Sequence, residues 1–299
     1  MRLSRFLSLL LALMMALSLA PAMQAETLEF TDMADRAVKL DKAVQRIVAL
    51  QPADCEVLFA IGAGDLLVGR GEYCDYPAEV LEVPSVQSGF ETNYEQIIAL
   101  APDVVILTKM AQSVEDIKKL EEAGITVIVS DAQSIQGVYS AISMLGQITG
   151  KADEAAELVA SMTLSFAALA EKAKDKEGGS VYFEVSPLAY GLWVAGTGTF
   201  MDEIATILNL KNAFDDIAGW QAISEEQVLT RDPDIIVTTT MYFGEGPTPV
   251  EELTGRTSWD SLKAVKNGRV FNADADAITR PGPRLVEAAQ AFYDFLYGE

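Results

Sequence analysis

The stretch NYEQIIALAPDVVI at residues 93–106 returns as SEEQVLTRDPDIIV at residues 224–237, with a constant offset of 131 positions. Each copy opens on a residue that can cap a helix, Asn93 or Ser224, and carries a glutamine three positions later, as in a capping box. A Pro-Asp pair then ends the helix and begins an apolar run typical of a buried parallel strand. The duplication predicts two lobes built alike, and a cleft between such lobes is a natural ligand site.

Short β-branched runs alternate with helical stretches around this repeat, which is typical of parallel sheets wrapped by helices. Strands are predicted at 47–50, 66–68, 104–108, 125–129, 181–185, 235–239 and 270–272. Helices are predicted at 55–61, 94–100, 114–123, 135–148, 200–208, 225–230, 250–265 with a break near Gly255, and 284–297. Residues 151–177 contain neither Gly nor Pro, which predicts one rigid helix approaching about 40 Å in length. We therefore predict an α/β fold of two Rossmann-like lobes with mainly parallel sheets, residues 26–150 and 178–299, joined by this helix and separated by a ligand cleft.

The N-terminus has the pattern of a cleaved secretory signal peptide, predicted here as residues 1–25. Arg2 and Arg5 precede an apolar run, and small residues lead up to Ala25. The apolar run of about a dozen residues is shorter than the roughly 20 that a membrane-spanning helix needs. No cysteine follows the small residues, so we expect an exported protein, periplasmic or extracellular, without a lipid anchor.

The composition narrows the possible functions. Loss of residues 1–25 removes two of the 22 basic residues and none of the 44 acidic ones, so the net charge of −22 becomes −24. Nucleic acid and anionic lipid are then poor partners. The chain contains no histidine, which excludes Ser-His-Asp catalysis and His-ligated zinc or haem. We expect a monomer with no catalytic residue, no metal site and no cofactor.

The two cysteines of the chain are Cys55 and Cys74. Export places them in an oxidising compartment where pairing is the default. The alternative is two unpaired thiols, one on a helix and one in a loop. The sequence predicts the disulfide and leaves the alternative open.

Glu95 and Glu226 occupy equivalent places in the first helical turn of the two repeats. A carboxylate there stabilises its helix by about 0.3 to 1 kcal/mol through the helix dipole. One exposed carboxylate on each lobe could also meet an arginine on each half of a dimeric membrane partner, which would fix the docking orientation. The residues alone leave both roles open.

A series of short motifs keeps the order and spacing of a known family. The motifs are Gln51-Pro52-Ala53-Asp54, Gly62-Ala63-Gly64-Asp65, Cys74-Asp75-Tyr76-Pro77, Glu95-Gln96-Ile97 with Pro102-Asp103, Ala195-Gly196-Thr197-Gly198-Thr199-Phe200, Asn212, Glu226-Gln227-Val228 with Pro233-Asp234, Trp259, Ala264-Val265-Lys266-Asn267-Gly268-Arg269-Val270 and Arg280-Pro281-Gly282-Pro283-Arg284. In these motifs the chain from about Ala43 to Gly298 resembles the helical-backbone (class III) solute-binding proteins of ABC importers. Members of that family bind cobalamin, haem or ferric siderophores.

The resemblance implies a receptor that captures a metal-chelate nutrient and delivers it to an ABC importer permease dimer. In the family, the glutamates that match Glu95 and Glu226 dock onto arginines of the permease. The cargo lies in a shallow cleft whose loops carry aromatic side chains, which suit a flat macrocycle or a catecholate. The matching candidate ligand-binding residues are Tyr73, Tyr76, Phe90, Tyr190, Trp193, Trp220, Tyr242 and Arg280. Arg280 could meet a carboxylate or phosphate of the chelate.

Cobalamin or a related corrinoid is the favoured cargo, because the CDYP motif and the lack of a basic cleft suit a bulky, weakly charged molecule. A ferric siderophore is the alternative. Haem ranks third without histidine, although Tyr73, Tyr76 or Tyr242 could ligate its iron.

The competing class is an exported enzyme on a similar α/β frame. Asp131 or Glu184, near predicted strand ends, could then act as acid or base. A carboxylate at a strand end is also common without catalysis, so we expect a protein that binds and does not catalyse.

Overall fold

The computed structural model describes residues 27–89, 91–109 and 114–298. The predicted signal peptide, residues 1–25, and the candidate ligand residue Phe90 lie outside these ranges.

Strands and helices alternate along most of the described chain. The strands are β1 (Leu28–Thr31), β2 (Ala37–Leu40), β3 (Ile47–Ala49), β4 (Leu67–Gly71), β5 (Ser85–Val86), β6 (Val104–Leu107), β7 (Thr126–Val129), β8 (Ser180–Ser186), β9 (Trp193–Ala195), β10 (Lys211–Asn212), β11 (Trp220–Ala222), β12 (Ile235–Thr238) and β13 (Val270–Asn272). The α-helices are α1 (Pro52–Ala60), α2 (Tyr94–Ala99), α3 (Val114–Glu122), α4 (Ile135–Thr149), α5 (Ala152–Ala173), α6 (Phe200–Ile207), α7 (Glu225–Arg231), α8 (Pro249–Thr254), α9 (Lys263–Lys266), α10 (Ala275–Thr279) and α11 (Leu285–Tyr297). Short 3-10 helices occupy Gly64–Leu66, Ala78–Glu82, Leu188–Tyr190 and Trp259–Ser261.

The first lobe is built on a five-stranded parallel sheet with the order β5-β4-β3-β6-β7. Every residue of β6 is buried, as expected of a strand covered on both faces. Val104 and Ile106 pack into one apolar cluster while Val105 and Leu107 pack into another, because successive side chains of a strand point to opposite faces. The β1–β2 hairpin, which the sequence did not predict, is tied to the edge strand β7 by a backbone hydrogen bond of 3.1 Å.

The second lobe is built on a six-stranded sheet with the order β11-β9-β8-β12-β13, and β10 also pairs with β8. Strands β8, β10, β12 and β13 are parallel, whereas β9 and β11 are antiparallel to their neighbours. The mainly parallel sheet was predicted, but the antiparallel edge was not. Each of those two edge strands is three residues long, which is too short for a strand period to be visible in the sequence.

Helix α5 connects the two lobes. Its buried residues, Ala155, Met162, Phe166, Leu169 and Ala173, lie three, four or seven positions apart and form one apolar stripe. This stripe joins a core cluster that contains residues of both sheets. The helix ends at Ala173 rather than at 177 and is about 33 Å long at 1.5 Å per residue. The fold is therefore two Rossmann-like lobes held apart by a long helix.

The two repeats have the same local structure. Asn93 accepts a hydrogen bond from the Gln96 backbone N–H, and Ser224 forms a complete capping box with Gln227. Ala101 and Asp232, again 131 positions apart, each adopt a positive φ, 44° and 45°, which non-glycine residues rarely do.

The aspartates after the prolines also act alike in the two lobes. Asp103 accepts hydrogen bonds of 2.9 and 3.0 Å from backbone N–H groups just before β3, and Asp234 accepts one of 2.9 Å from the backbone N–H of Ser180 at the start of β8. Each carboxylate fixes the start of the neighbouring strand. The helix–turn–strand unit is thus repeated in its cap, its turn and its aspartate contact to the neighbouring strand.

Candidate functional site

A cleft lies between the lobes where the strands of both sheets end. Its cavity of about 540 Å³ is lined by Gln51, Ala53, Asp54, Thr108, Ser130, Asp131, Ala132, Gln133, Val185, Ser186, Trp193, Phe200, Met201, Trp220, Thr279 and Pro281. Thr108 and Ser130 directly follow β6 and β7. Ligands of open α/β sheets bind at this carboxyl edge of the strands.

The two walls of the cleft differ in chemistry. The wall from the second lobe is mainly apolar, and the rings of Phe200 and Trp220 pack with centroids 5.2 Å apart. The wall from the first lobe carries hydroxyl, amide and carboxyl groups. Among the described residues that line the cavity there is no lysine or arginine, and Asp54 and Asp131 are the acids. The cleft can therefore hold a partly apolar ligand and meet its polar groups on one side.

A chain of hydrogen bonds crosses the cleft. The indole Nε1 of Trp220 donates to Gln133 Oε1 at 2.7 Å, and Gln133 Nε2 donates to Asp131 Oδ1 at 3.1 Å. Thr108 Oγ1 donates to the same carboxyl oxygen at 3.0 Å. These bonds fix the ring of Trp220 against the first lobe.

Asp54 lies in the first turn of α1 and is buried at the cleft. Ser130 Oγ donates to its Oδ1 at 2.7 Å. Burial raises the pKa of Asp54 to about 7, against the lowering effect of the Ser130 hydrogen bond. The sequence did not single out this residue as a ligand contact.

The predicted ligand-binding aromatics fall into two groups. Trp193 and Trp220 line the cavity. Tyr73, Tyr76 and Tyr190 are exposed and do not belong to the lining. The ring of Tyr76 lies under the Arg284 guanidinium, 4.3 Å from ring centroid to Cζ.

Tyr242 lies in a different depression, beside Pro187 and Phe243. Its hydroxyl donates to the carbonyl of Gly246 at 3.4 Å. A ligand would need to extend from the cavity to reach Tyr242.

Arg280 belongs to an ion cluster between the lobes. It contacts Glu56 at 3.1 Å, Asp75 at 2.7 Å and Asp276 at 2.6 Å, while Arg284 contacts Glu56 at 2.7 Å. The side chain of Glu56 is 2% exposed and that of Arg280 is 10% exposed. The guanidinium of Arg280 therefore already has carboxylate partners on both lobes.

Glu95 and Glu226 are exposed on the first turns of α2 and α7. The residue before each one packs against its own lobe: the Lys119 amine lies over the Tyr94 ring at 5.0 Å, and Trp259 Nε1 donates to Glu225 at 2.9 Å. The two glutamates are thus presented to solvent by equivalent, anchored helix starts.

The two carboxylates proposed for an enzyme lie in different surroundings. Glu184 is buried in a bidentate pair with Arg256, with contacts of 2.6 and 3.0 Å, which is a structural arrangement. Asp131 lines the cleft but is held by Thr108 and Gln133. Within the described part of the chain, no three or more His, Cys, Asp or Glu side chains are grouped so as to hold a metal ion.

Cys55 and Cys74 are buried, unbonded thiols that lie together. Their sulfur atoms lie 3.7 and 4.0 Å from the same Ala49 carbonyl oxygen. A hydrogen bond with Cys74, together with burial, raises the pKa of the Cys55 thiol. The pairing of these cysteines stays a prediction.

The cleft residues that the sequence missed share one feature: Gln51, Thr108, Ser130 and Ser186 each stand at or just beyond the end of a strand. Their position at strand ends was the sequence feature that could have identified them as cleft residues.

Within the described residues, no helix has the length and apolar character needed to cross a bilayer.

Sequence comparison places the chain among binding proteins. The family described as periplasmic binding protein matches residues 47–277. A Bacillus subtilis protein named "uncharacterized ABC transporter substrate-binding lipoprotein YvrC" is 38% identical over 272 residues, which cover 89% of this chain and 84% of that protein. The vitamin B12-binding protein of Vibrio campbellii is 28% identical over 246 residues, which cover 82% of this chain and 86% of that protein.

Solved structures show the same architecture. A possible iron-binding, periplasmic solute-binding protein of Staphylococcus epidermidis is 30% identical with a TM-score of 0.74, covering 86% of this chain and all (100%) of that one. The periplasmic vitamin B12 binding protein of Vibrio cholerae is 24% identical with a TM-score of 0.71, covering 85% of this chain and 97% of that one. The second likeness is evidence of the fold alone.

Proposed function

This chain belongs to the periplasmic binding protein family, whose members include the substrate-binding proteins of ABC transporters, and we propose that it captures cobalamin or a related corrinoid for an ABC importer permease. The observation that carries the proposal is the chemistry of the cleft. It joins an apolar wall with two tryptophans to a polar wall, and its described lining offers no cationic side chain. A bulky cargo with an uncharged periphery suits such a cleft better than a strongly anionic one does.

The relatives support the same cargo. Proteins of Vibrio campbellii and Halobacterium salinarum, each 28% identical to this chain, are named vitamin B12-binding and cobalamin-binding protein. These names describe those proteins, and we transfer the ligand class here as part of the proposal.

A ferric siderophore is the second candidate, because the structurally similar Staphylococcus epidermidis protein is described as possibly iron-binding. Acidic siderophores would face Asp131 without a neutralising arginine in the cavity, since Arg280 is already paired. Haem is less well served, because no tyrosine or histidine occurs among the described lining residues that could ligate its iron. The cleft therefore favours the corrinoid.

We propose that Glu95 and Glu226 dock the receptor onto its permease. A helix that precedes a parallel strand runs back along the sheet, so the starts of α2 and α7 lie on the side of each sheet where the strands end, which is the cleft side. This arrangement offers one carboxylate from each lobe beside the mouth of the cleft. A two-fold permease could engage both and face the cargo.

The remaining parts of the proposal concern the chain as a whole. We propose an exported monomer with a cleaved signal peptide, residues 1–25, and lobes at 26–150 and 178–299 joined by the helix. Location outside the cytoplasmic membrane agrees with the family. The Bacillus subtilis relative is termed a lipoprotein, whereas the first cysteine of this chain is Cys55. The mass of the mature N-terminal peptide tests both cleavage and lipid attachment.

A binding titration tests the function. Two of the three tryptophans line the cleft, so saturable quenching of fluorescence should report cargo directly. Cyanocobalamin, ferric siderophores and haemin are titrated in parallel, and the bound molecule is recovered and analysed. Recovery of unchanged cyanocobalamin supports the receptor. Tighter binding of an iron chelate would identify that chelate as the cargo in place of a corrinoid. Chemical conversion of the bound molecule would favour an enzyme.

A further inference from the structure

We propose that Asp54 selects the cargo by donating a hydrogen bond, as a neutral carboxylic acid, to an amide carbonyl on the edge of the ligand. The inference rests on the proposed function, since it assumes a corrinoid cargo, whose periphery carries primary amides. It goes further by assigning a specificity residue and the chemical group that it recognises.

One carboxyl oxygen of Asp54 lacks a hydrogen-bond partner within the described part of the chain. The residue is 3% exposed and lines the cavity. Its Oδ1 accepts from Ser130 at 2.7 Å, while its Oδ2 is buried and has no hydrogen-bond partner within the described part of the chain. Buried polar atoms of native proteins are nearly always hydrogen-bonded. Because Asp54 also lines the cavity, we infer that a small turn of its side chain lets a bound ligand supply the missing partner.

The surroundings of Asp54 favour its neutral form. The ionisable groups next to it on α1 are Cys55 and Glu56, and Glu56 is neutralised by two arginines. From the ends of β6 and β7 come the uncharged Thr108 and Ser130 and then Asp131, a like charge.

The facing wall adds no charge, because its described lining residues, from Val185 to Pro281, include no ionisable side chain. Among the described residues that line the cavity, no cation offsets the cost of burying an aspartate anion, which agrees with the raised pKa of Asp54. The helix dipole at the start of α1 favours the anion, but its effect on one side chain is small beside complete desolvation. A bound cargo removes the remaining water and favours the neutral acid further.

A primary amide can both accept and donate hydrogen bonds at this site. Its carbonyl can accept from Asp54 Oδ2–H, and its N–H groups can donate to neighbouring oxygens such as those of Asp131 or Gln51. A carboxylate in the same place would share the cavity with Asp131, a like charge, and would be repelled. The site should therefore prefer an amide edge to its hydrolysed, acidic counterpart.

The test is the pH dependence of cyanocobalamin binding by the full mature protein. For the wild type, affinity should fall roughly tenfold between about pH 6 and about pH 8, because Asp54 must regain its proton to bind. Asp54→Asn keeps the shape and always carries a donor, so its affinity should stay within a few fold of the pH 6 wild type at both pH values. Asp54→Leu should bind at least tenfold more weakly at pH 6 and show no slope.

Asp65→Asn is the control, an acid-to-amide change at an exposed residue of the same lobe outside the cavity lining, and it should keep the wild-type affinity and slope. Thermal unfolding of each variant shows whether it is folded, and the isosteric Asp54→Asn provides the test if Asp54→Leu is not. A slope that survives in Asp54→Asn, or wild-type affinity in folded Asp54→Leu, overturns the assignment while leaving the receptor function intact. Failure of the wild type to bind any corrinoid rejects the proposed cargo and this inference together.

Discussion

Replacing Arg256 by methionine should lower the stability of the protein, because it leaves the buried carboxylate of Glu184 without its partner. The side chains of Arg256 and Glu184 are 3% and 1% exposed, and their closest contact is 2.6 Å. The guanidinium also stacks on Trp259 at 4.4 Å, and methionine preserves much of that packing. The substitution therefore removes the charge and its hydrogen bonds while leaving a filled core.

The expected loss is large at neutral pH. Breaking a buried pair by removing one partner costs about 3 to 5 kcal/mol, because an uncompensated charge remains. Burial already raises the pKa of Glu184, and Arg256 opposes that effect. Without Arg256 the pKa of Glu184 should rise further, so the folded variant keeps a proton that the unfolded chain releases above about pH 4.3.

The sign of the pH effect follows from that proton. The folded variant binds more protons than the unfolded chain between the two pKa values, so its stability falls as pH rises through this window. Relative to the wild type, we expect a deficit of about 3 to 5 kcal/mol near pH 7.5 that shrinks by about 2 kcal/mol near pH 5. This difference in the free energy of unfolding is measured by urea denaturation, monitored by circular dichroism, at both pH values.

Two variants serve as controls. Glu252, the other partner of Arg256, has a side chain that is 42% exposed. Glu252→Gln should therefore lower the free energy of unfolding by less than about 1 kcal/mol. The double variant Arg256→Met with Glu184→Gln leaves no buried charge at this pair, so its deficit should be smaller and independent of pH. A single-variant deficit that stays constant from pH 5 to 7.5 would show that buried charge is not the cause.

Three further predictions concern transport, the cysteine pair and the packing of the fold. Glu95→Ala with Glu226→Ala should abolish most cargo uptake by cells or vesicles while leaving solution affinity within about twofold, since both carboxylates lie outside the cavity; loss of binding itself would assign them to structure. Exported protein should carry a Cys55–Cys74 disulfide, seen as a mass 2 Da lower than the reduced chain, and reduction should lower stability by about 3 kcal/mol; thiols that remain free after export would contradict it. Gly196→Ala should destabilise the fold by about 1 to 3 kcal/mol, because its Cβ would lie 2.1 Å from a backbone carbonyl oxygen of the facing loop, and unchanged thermal stability would refute the clash.

The repeat explains why the fold could be predicted so far from sequence. Two copies of one helix–turn–strand pattern indicated two lobes, and the structure reproduces their caps and turns. Where the pattern was weak, the prediction was less complete. The helix predicted at 250–265 is Pro249–Thr254 and Lys263–Lys266 with a 3-10 turn between, so the break expected near Gly255 is larger than predicted.

The candidate site was harder to predict, because topology brings its residues together. Trp193 and Trp220 were found through family likeness and line the cavity on the antiparallel strands β9 and β11. Thr108, Ser130 and Asp54 give no periodic signal in the sequence. They become neighbours only when the strand ends meet at one edge, and the burial that raises the pKa of Asp54 has no counterpart in a linear pattern.

The ion cluster at Glu56 has a mechanical consequence. It bonds the first helix of one lobe to Arg280 and Arg284, more than 200 residues later on the other, in a place where water has little access. Separating the lobes would leave those buried charges without partners. The cleft should therefore rarely open by thermal motion alone. Release of the ligand should therefore require free energy from outside the protein. In the proposed function, contacts with the permease would supply it.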